Sequence, residues 1–137
     1  VISFGPDAGN KHITYYFRKK FTINNTTGLT DAQASIKVDD GAIVYCNGVE
    51  VFRYNLPSGT IQNNTLALQN ATENILINFT IPAQHFQNGN NVIAVEVHQI
   101  SGTSSDVSFL LEANAQILGA VNQTTSTNPE ISLQVNA

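Results

Sequence analysis

Short runs of β-branched and aromatic residues, separated by turn-forming residues, constrain this chain more than any other feature. Residues 13–23 form one such run, in which Lys19, Phe21 and Ile23 alternate with Lys20 and Thr22, and residues 24–28 end it with Asn, Thr and Gly. Two further runs flank Asn47-Gly48. Both residues of a tight hairpin turn need positive φ, and Asn-Gly tolerates it best, so an antiparallel hairpin is predicted over residues 41–54.

The rest of the chain repeats this pattern. Pro82 and Asn88-Gly89 bracket one or two predicted helical turns. Further strands are predicted at 32–38, 75–81, 91–100 and 107–117. Many short strands with almost no helix predict an all-β fold, an antiparallel β-sandwich of the jelly-roll type. The predicted core consists of Phe17 or Phe21, Ile43, Val51, Ile77, Ile93, Val95, Val97 and Phe109.

Two parts of the chain differ in composition. Residues 1–118 carry the strand pattern and form the predicted sandwich domain, whereas 119–137 begin as a Thr/Asn-rich linker. Within the second part, residues 131–135 alternate again, as an edge strand or the first strand of a following module would.

Composition excludes several classes of function. The net charge of −4 argues against nucleic acid, which needs a concentrated basic face. No apolar run approaches the roughly 20 residues that span a bilayer. With one cysteine the chain has no internal disulfide, and Cys46, inside an apolar run, is expected to be a small buried hydrophobe rather than a nucleophile. The chain has no Met and few charges, so we expect a piece of a larger protein that is secreted or exposed on the cell surface.

Three stretches carry a family resemblance: residues 15–21, residues 39–51, and residues 89–99 together with 104–109. They resemble the galactose-binding-like jelly-roll domains of secreted bacterial multidomain proteins and, more distantly, the sugar-binding domain of family 2 glycoside hydrolases. The resemblance covers about residues 13–117 and implies the sandwich fold. It does not specify a ligand, because one fold serves many functions.

The dipeptide Asp39-Asp40, followed by Gly41, is a candidate metal site. Paired carboxylates suit Ca²⁺ if other groups, such as Asp106, complete the ligand shell. The segment also resembles the Asp-Asp dipeptide of adhesin domains related to the anthrax protective antigen, which implies Ca²⁺ and, through it, sugar binding. The alternative is a turn, since Asp and Gly both favour such positions.

A candidate ligand patch comprises Glu96 and His98, which share one face of a strand, together with Arg18 on a neighbouring strand and Tyr54 at a hairpin end. Arg18, Glu96 and His98 suit sugar hydroxyls, and Tyr54 is the aromatic expected to be exposed. The alternative is a satisfied polar network on the sheet, with the aromatic residues in the core.

No catalytic motif is recognisable in the sequence, so we expect no enzymatic activity. The predicted function is that of a non-catalytic module that binds a polysaccharide or another glycan, or recognises a surface. The alternative is a structural spacer that docks against neighbouring domains of the same polypeptide.

Overall fold

The computed structural model describes residues 2–72, 75–119 and 130–136. Eight strands in these residues form two four-stranded antiparallel sheets, with orders β1-β6-β3-β4 and β5-β2-β7-β8, which confirms the predicted all-β sandwich. The strands are β1 (Thr14–Ile23), β2 (Ala32–Asp39), β3 (Gly41–Cys46), β4 (Val49–Tyr54), β5 (Ile77–Ile81), β6 (Gly89–His98), β7 (Ser108–Gln116) and β8 (Glu130–Asn136). No helix in the described part of the chain has the length and apolar character needed to cross a membrane.

The core lies between the two sheets and follows the two-residue period of each strand. On β6, Ile93, Val95 and Val97 face inward, while alternate residues face the opposite side. Aromatic pairs link the sheets: Phe17 and Phe109 have ring centroids 4.7 Å apart, and Phe52 stacks on Phe79 at 4.2 Å. Such pairs add to the stabilisation that burial of their area provides.

Ile43 was predicted to be in the core, but it does not lie between the two sheets. It is fully buried, but Ala42 and Val44 on either side of it belong to the main cluster, so Ile43 faces the outer side of its sheet. The segment after β4 covers this part of the outer face, as shown at Gly41, where an added Cβ would lie 3.1 Å from Leu56. We refer to residues 56–72 as the covering loop.

Both predicted turns are present. The residues Asn47 and Gly48 have φ of 49° and 86° and join β3 to β4 as a tight hairpin. The predicted helical turn after Pro82 is a short 3-10 helix, Ala83–His85. The strand β8 pairs with β7 from Gln116↔Glu130 to Leu110↔Asn136. The predicted linker at 120–129 lies outside the described residues, and the domain boundary at 118 stays a prediction.

Candidate functional site

The outer face of the β1-β6-β3-β4 sheet carries two rows of side chains that run across all four strands. One row consists of Tyr16, Glu96, Ile43 and Arg53, and the other of Arg18, Ala94 and Tyr45, with Glu50 at its end. With strands about 4.8 Å apart, each row spans about 14 Å. Part of this face is covered and part is open.

The open part is a groove of about 280 Å³. Its walls are Tyr16 and Arg18 on β1 and Tyr45 on β3, and Ala94 lies between Arg18 and Tyr45 in the register. Because alanine ends at Cβ, it leaves space between its larger neighbours and forms the floor of the groove. We refer to this feature as the outer-face groove.

Tyr16 is the exposed aromatic of the groove, with 60% of its surface accessible. Burial against the sheet, followed by the negative charge of Glu96, raises the pKa of Tyr16. Tyr45 is half-buried and hydrogen-bonded to Glu96; burial and that carboxylate raise its pKa as well. Both phenols therefore keep their protons at neutral pH and can act as hydrogen-bond donors.

Arg18 and Arg53 differ in what their guanidinium groups contact. Both carboxylate oxygens of Glu50 accept from Arg53, at 2.8 and 2.7 Å, which lowers the pKa of Glu50. Arg53 also donates to the carbonyl of Gly59. Arg18 is exposed and makes no hydrogen bond or ion pair with any residue that the structure describes. Its donors are therefore available to a ligand in the outer-face groove.

His98 shares the face of Glu96, as the sequence predicts, but it does not line the outer-face groove. The imidazole is fully buried beneath the covering loop. Its Nδ1 lies 2.8 Å from the carbonyl of Thr65 and 3.0 Å from the hydroxyl of Thr14, and its Nε2 lies 3.3 Å from Oε2 of Glu96. Here the alternative, a satisfied polar network, is the arrangement observed.

Tyr54 is the second ligand residue whose prediction needs correction. It ends β4 and is half-buried against the main core cluster, whereas the sequence predicted that it would be exposed. On this face of the sheet the exposed aromatic is Tyr16, which lies on the same side of β1 as Arg18 and Lys20. The alternation of Tyr16 with Arg18 and Lys20 was the signal in the sequence that Tyr16 is exposed. The aromatic residues on either side of it, Tyr15 and Phe17, obscure that signal.

Of the predicted metal ligands, Asp40 and Asp106 have different surroundings. Asp40 is only 3% exposed, and its two carboxylate oxygens accept from the backbone N–H groups of Ala71 at 2.9 Å and Ile100 at 2.7 Å. Asp106 is exposed and accepts from the hydroxyl of Ser105. Among the described residues, no group of three or more His, Cys, Asp or Glu side chains could hold a metal ion. Asp40 acts as an anchor for two backbone segments, and calcium binding by Asp39 and Asp40 stays a prediction.

Cys46 is fully buried, and its thiol donates to the carbonyl of His85 at 3.4 Å. Burial raises the pKa of the thiol to about 11. A protonated, inaccessible thiol is a poor nucleophile.

Comparison with solved structures supports the fold. An α-L-rhamnosidase from Streptomyces avermitilis, solved in complex with L-rhamnose, is similar over 90% of this chain, with a TM-score of 0.56 and 19% identity. A β-D-mannosidase from Dictyoglomus thermophilum aligns over 90% of the chain with a TM-score of 0.40 and 9% identity. The chain spans 10% and 24% of these two enzymes, respectively. No protein-family model and no curated protein matches the chain.

Proposed function

We propose that this domain is a non-catalytic module that binds glycans at the outer-face groove, within a secreted or cell-surface protein of several domains. The observation that carries the proposal is the uncommitted guanidinium of Arg18 beside the exposed ring of Tyr16. An exposed aromatic ring and free charged donors beside one open groove suit a ligand that has both an apolar face and polar groups.

The chemistry of the groove matches a sugar chain. The apolar face of a sugar ring packs against the ring of Tyr16, while the hydroxyls on its rim accept from Arg18 and donate to Glu96. Hydrogen bonds to charged groups are the stronger kind, so these two residues orient the ligand. Because the groove is open along the sheet, it suits an extended chain.

The lining of the groove supports binding without cleavage. Glycoside hydrolysis ordinarily uses two carboxyl groups on opposite sides of the scissile bond. Among the described residues that line the groove, Glu96 is the single carboxylate. The fold similarity to a part of a rhamnosidase is compatible with an accessory role beside a catalytic domain.

A glycan array with the whole chain, followed by calorimetry on the best ligand, tests the proposal. The array includes rhamnose-containing and mannose-containing polysaccharides. We expect Tyr16→Ala and Arg18→Ala each to weaken binding at least about tenfold, since each removes a contact worth 1.4 kcal/mol or more. Lys20→Ala is the matched control, because Lys20 lies on the same face of β1, is exposed and carries the same charge.

Two outcomes contradict the proposal. In one, no glycan on the array binds. In the other, a glycan binds but Arg18→Ala and Lys20→Ala weaken it equally, which points to net charge rather than to the groove.

A docking domain is the second candidate, and exposed leucines favour it. Leu66 and Leu68 on the covering loop are 45% and 64% exposed. Such side chains are suited to a contact with a neighbouring domain of the same polypeptide. If the domain docks in this way, Leu66→Ser with Leu68→Ser raises the solubility of the isolated chain and abolishes its association with that neighbour. In that case no glycan on the array binds the unsubstituted chain.

A further inference from the structure

A separate cavity of about 340 Å³ lies at the end of the sandwich where β1 begins. It is formed by the segment before β1, by Tyr15 at the start of β1, and by the connection between β6 and β7. Backbone and side-chain bonds hold the first segment to that connection: Lys11 N donates to Gly102 O at 2.8 Å, and Lys11 Nζ to Ser104 O at 2.6 Å. We refer to this feature as the end cavity.

Gln99 lines the end cavity and is only 2% exposed. Its Nε2 donates to the carbonyl of Asp39 at 3.1 Å, and this bond determines which end of the amide is nitrogen. The other atom, Oε1, is buried and has no hydrogen-bond partner among the described residues. Buried polar atoms are nearly always bonded, so an unpartnered acceptor beside a cavity indicates a position for a donor group.

The rest of the lining identifies the chemistry of that donor. Phe4 and Tyr15 supply aromatic surface, and Ser101, Ser104 and Ser105 supply polar groups. The ammonium of Lys11 is already used by Ser104 O and lies 5.8 Å from the centroid of the Phe4 ring. His12 is the other described residue of the lining that can carry a positive charge, and the carboxylate of Asp106 in the same lining would repel an anion.

We propose that the end cavity binds one neutral sugar ring, and that the side-chain amide of Gln99 turns toward the cavity so that its Oε1 accepts from a ring hydroxyl. Its volume is at the lower end of the roughly 300–1,000 Å³ typical of small-molecule sites, which suits a single ring or the end of a chain. The ligand class rests on the proposed glycan function, but the site shares no residue with the outer-face groove.

Amide NMR titrations of the whole chain with D-glucose, D-galactose and L-fucose, each to tens of millimolar, test this site. We expect at least one sugar to give saturable shifts in residues 99–107 and in the side-chain amide of Gln99, and D-glucuronate to give none. Phe4→Ala removes one aromatic wall and should weaken binding about tenfold or more. Gln99→Met removes the acceptor at similar volume and should have a similar effect.

Control variants separate the two proposals. Tyr16→Ala should leave the monosaccharide shifts unchanged, whereas Phe4→Ala should leave polysaccharide binding at the groove unchanged. Because Phe4 is 47% exposed, its substitution tests the site even if Gln99→Met fails to fold. Absence of saturable shifts with every sugar, or equal shifts with D-glucuronate, overturns the end-cavity proposal and leaves the groove proposal standing.

Discussion

At the scale of single residues, Asp40 shows how one buried carboxylate joins distant parts of the chain. Its oxygens bond to Ala71 in the covering loop and to Ile100 after β6, 31 and 60 positions away. Its own carbonyl accepts from the side chain of Asn55. Hydrogen bonds to a charged acceptor are stronger than neutral ones, so much of the loop's position depends on this residue.

We expect Asp40→Asn to lower the free energy of unfolding by about 1–3 kcal/mol, because the new amide NH₂ would face a buried backbone N–H and leave it unbonded. Urea denaturation measures the change. Asp106→Asn, at an exposed position, is the control and should stay within about 0.5 kcal/mol of the parent chain. Equal effects of the two substitutions would mean that the Asp40 bonds contribute little.

Calcium gives a second prediction at this scale. Since both oxygens of Asp40 already accept from backbone groups, millimolar Ca²⁺ and a chelator should give the same melting temperature. A site bound at a hundredfold excess over Kd would add about 2.7 kcal/mol to stability and would be easy to detect. A calcium-dependent rise that Asp39→Asn removes would contradict this expectation.

At the scale of elements, the β3–β4 turn depends on a side chain as much as on its backbone. The amide of Asn47 donates to His85 O and to Oδ1 of Asn91, both at 2.8 Å, and its oxygen accepts from Val92 N at 2.8 Å. The hairpin turn is thereby joined to the 3-10 helix and to β6. At position 48, by contrast, only the positive φ favours glycine, because no atom lies within 4 Å of an added Cβ.

We therefore expect Asn47→Ala to destabilise the fold more than Gly48→Ala does. The glycine substitution should cost about 1–2 kcal/mol from left-handed backbone strain. The asparagine substitution removes three hydrogen bonds and leaves the partly buried N–H of Val92 unbonded, so it should cost about 3 kcal/mol or more. Chemical denaturation of both variants compares them, and a larger effect at Gly48 would show that backbone strain dominates this turn.

The same elements show what a sequence alone can predict. Asn47-Gly48 and the alternation along β6 identify the hairpin and the core face, because turn and strand signals are local. The burial of His98 and the bonds of Asp40 could not be foreseen, since both depend on the covering loop, whose segment has no periodic pattern. Tyr54 was expected to be exposed but is half-buried, because packing against the core cluster, not position in a strand, decides which aromatic is covered.

At the scale of the whole molecule, β7 is an interior strand of its sheet. It pairs with β2 on one side and with β8 on the other, and its inward residues Phe109, Leu111 and Ala113 are buried. Without β8 the backbone of β7 would become an edge with unpaired N–H and C=O groups. Such edges promote association between chains.

We expect a chain ended at Leu118 to unfold at a lower urea concentration than the full chain and to associate at high concentration. Size-exclusion chromatography with light scattering checks the second effect. A full-length variant with Gln134→Pro is the matched comparison, because proline is unfavourable within a paired strand while the length of the chain is kept. If both behave like the parent chain, the pairing of β8 with β7 contributes little in solution.

The covering loop is attached chiefly through its main chain. Five backbone groups of the loop form hydrogen bonds with four residues outside it. The loop residues are Thr65, Ala67, Leu68, Gln69 and Ala71, and their partners are His98, Gln99, Asn55 and Asp40. Most of its side chains, by contrast, point to solvent. Apart from Gly59, whose positive φ favours glycine, the exposed positions of the loop do not determine its path. Those positions can therefore diverge, or be randomised in a display library, while the sandwich beneath them keeps its shape.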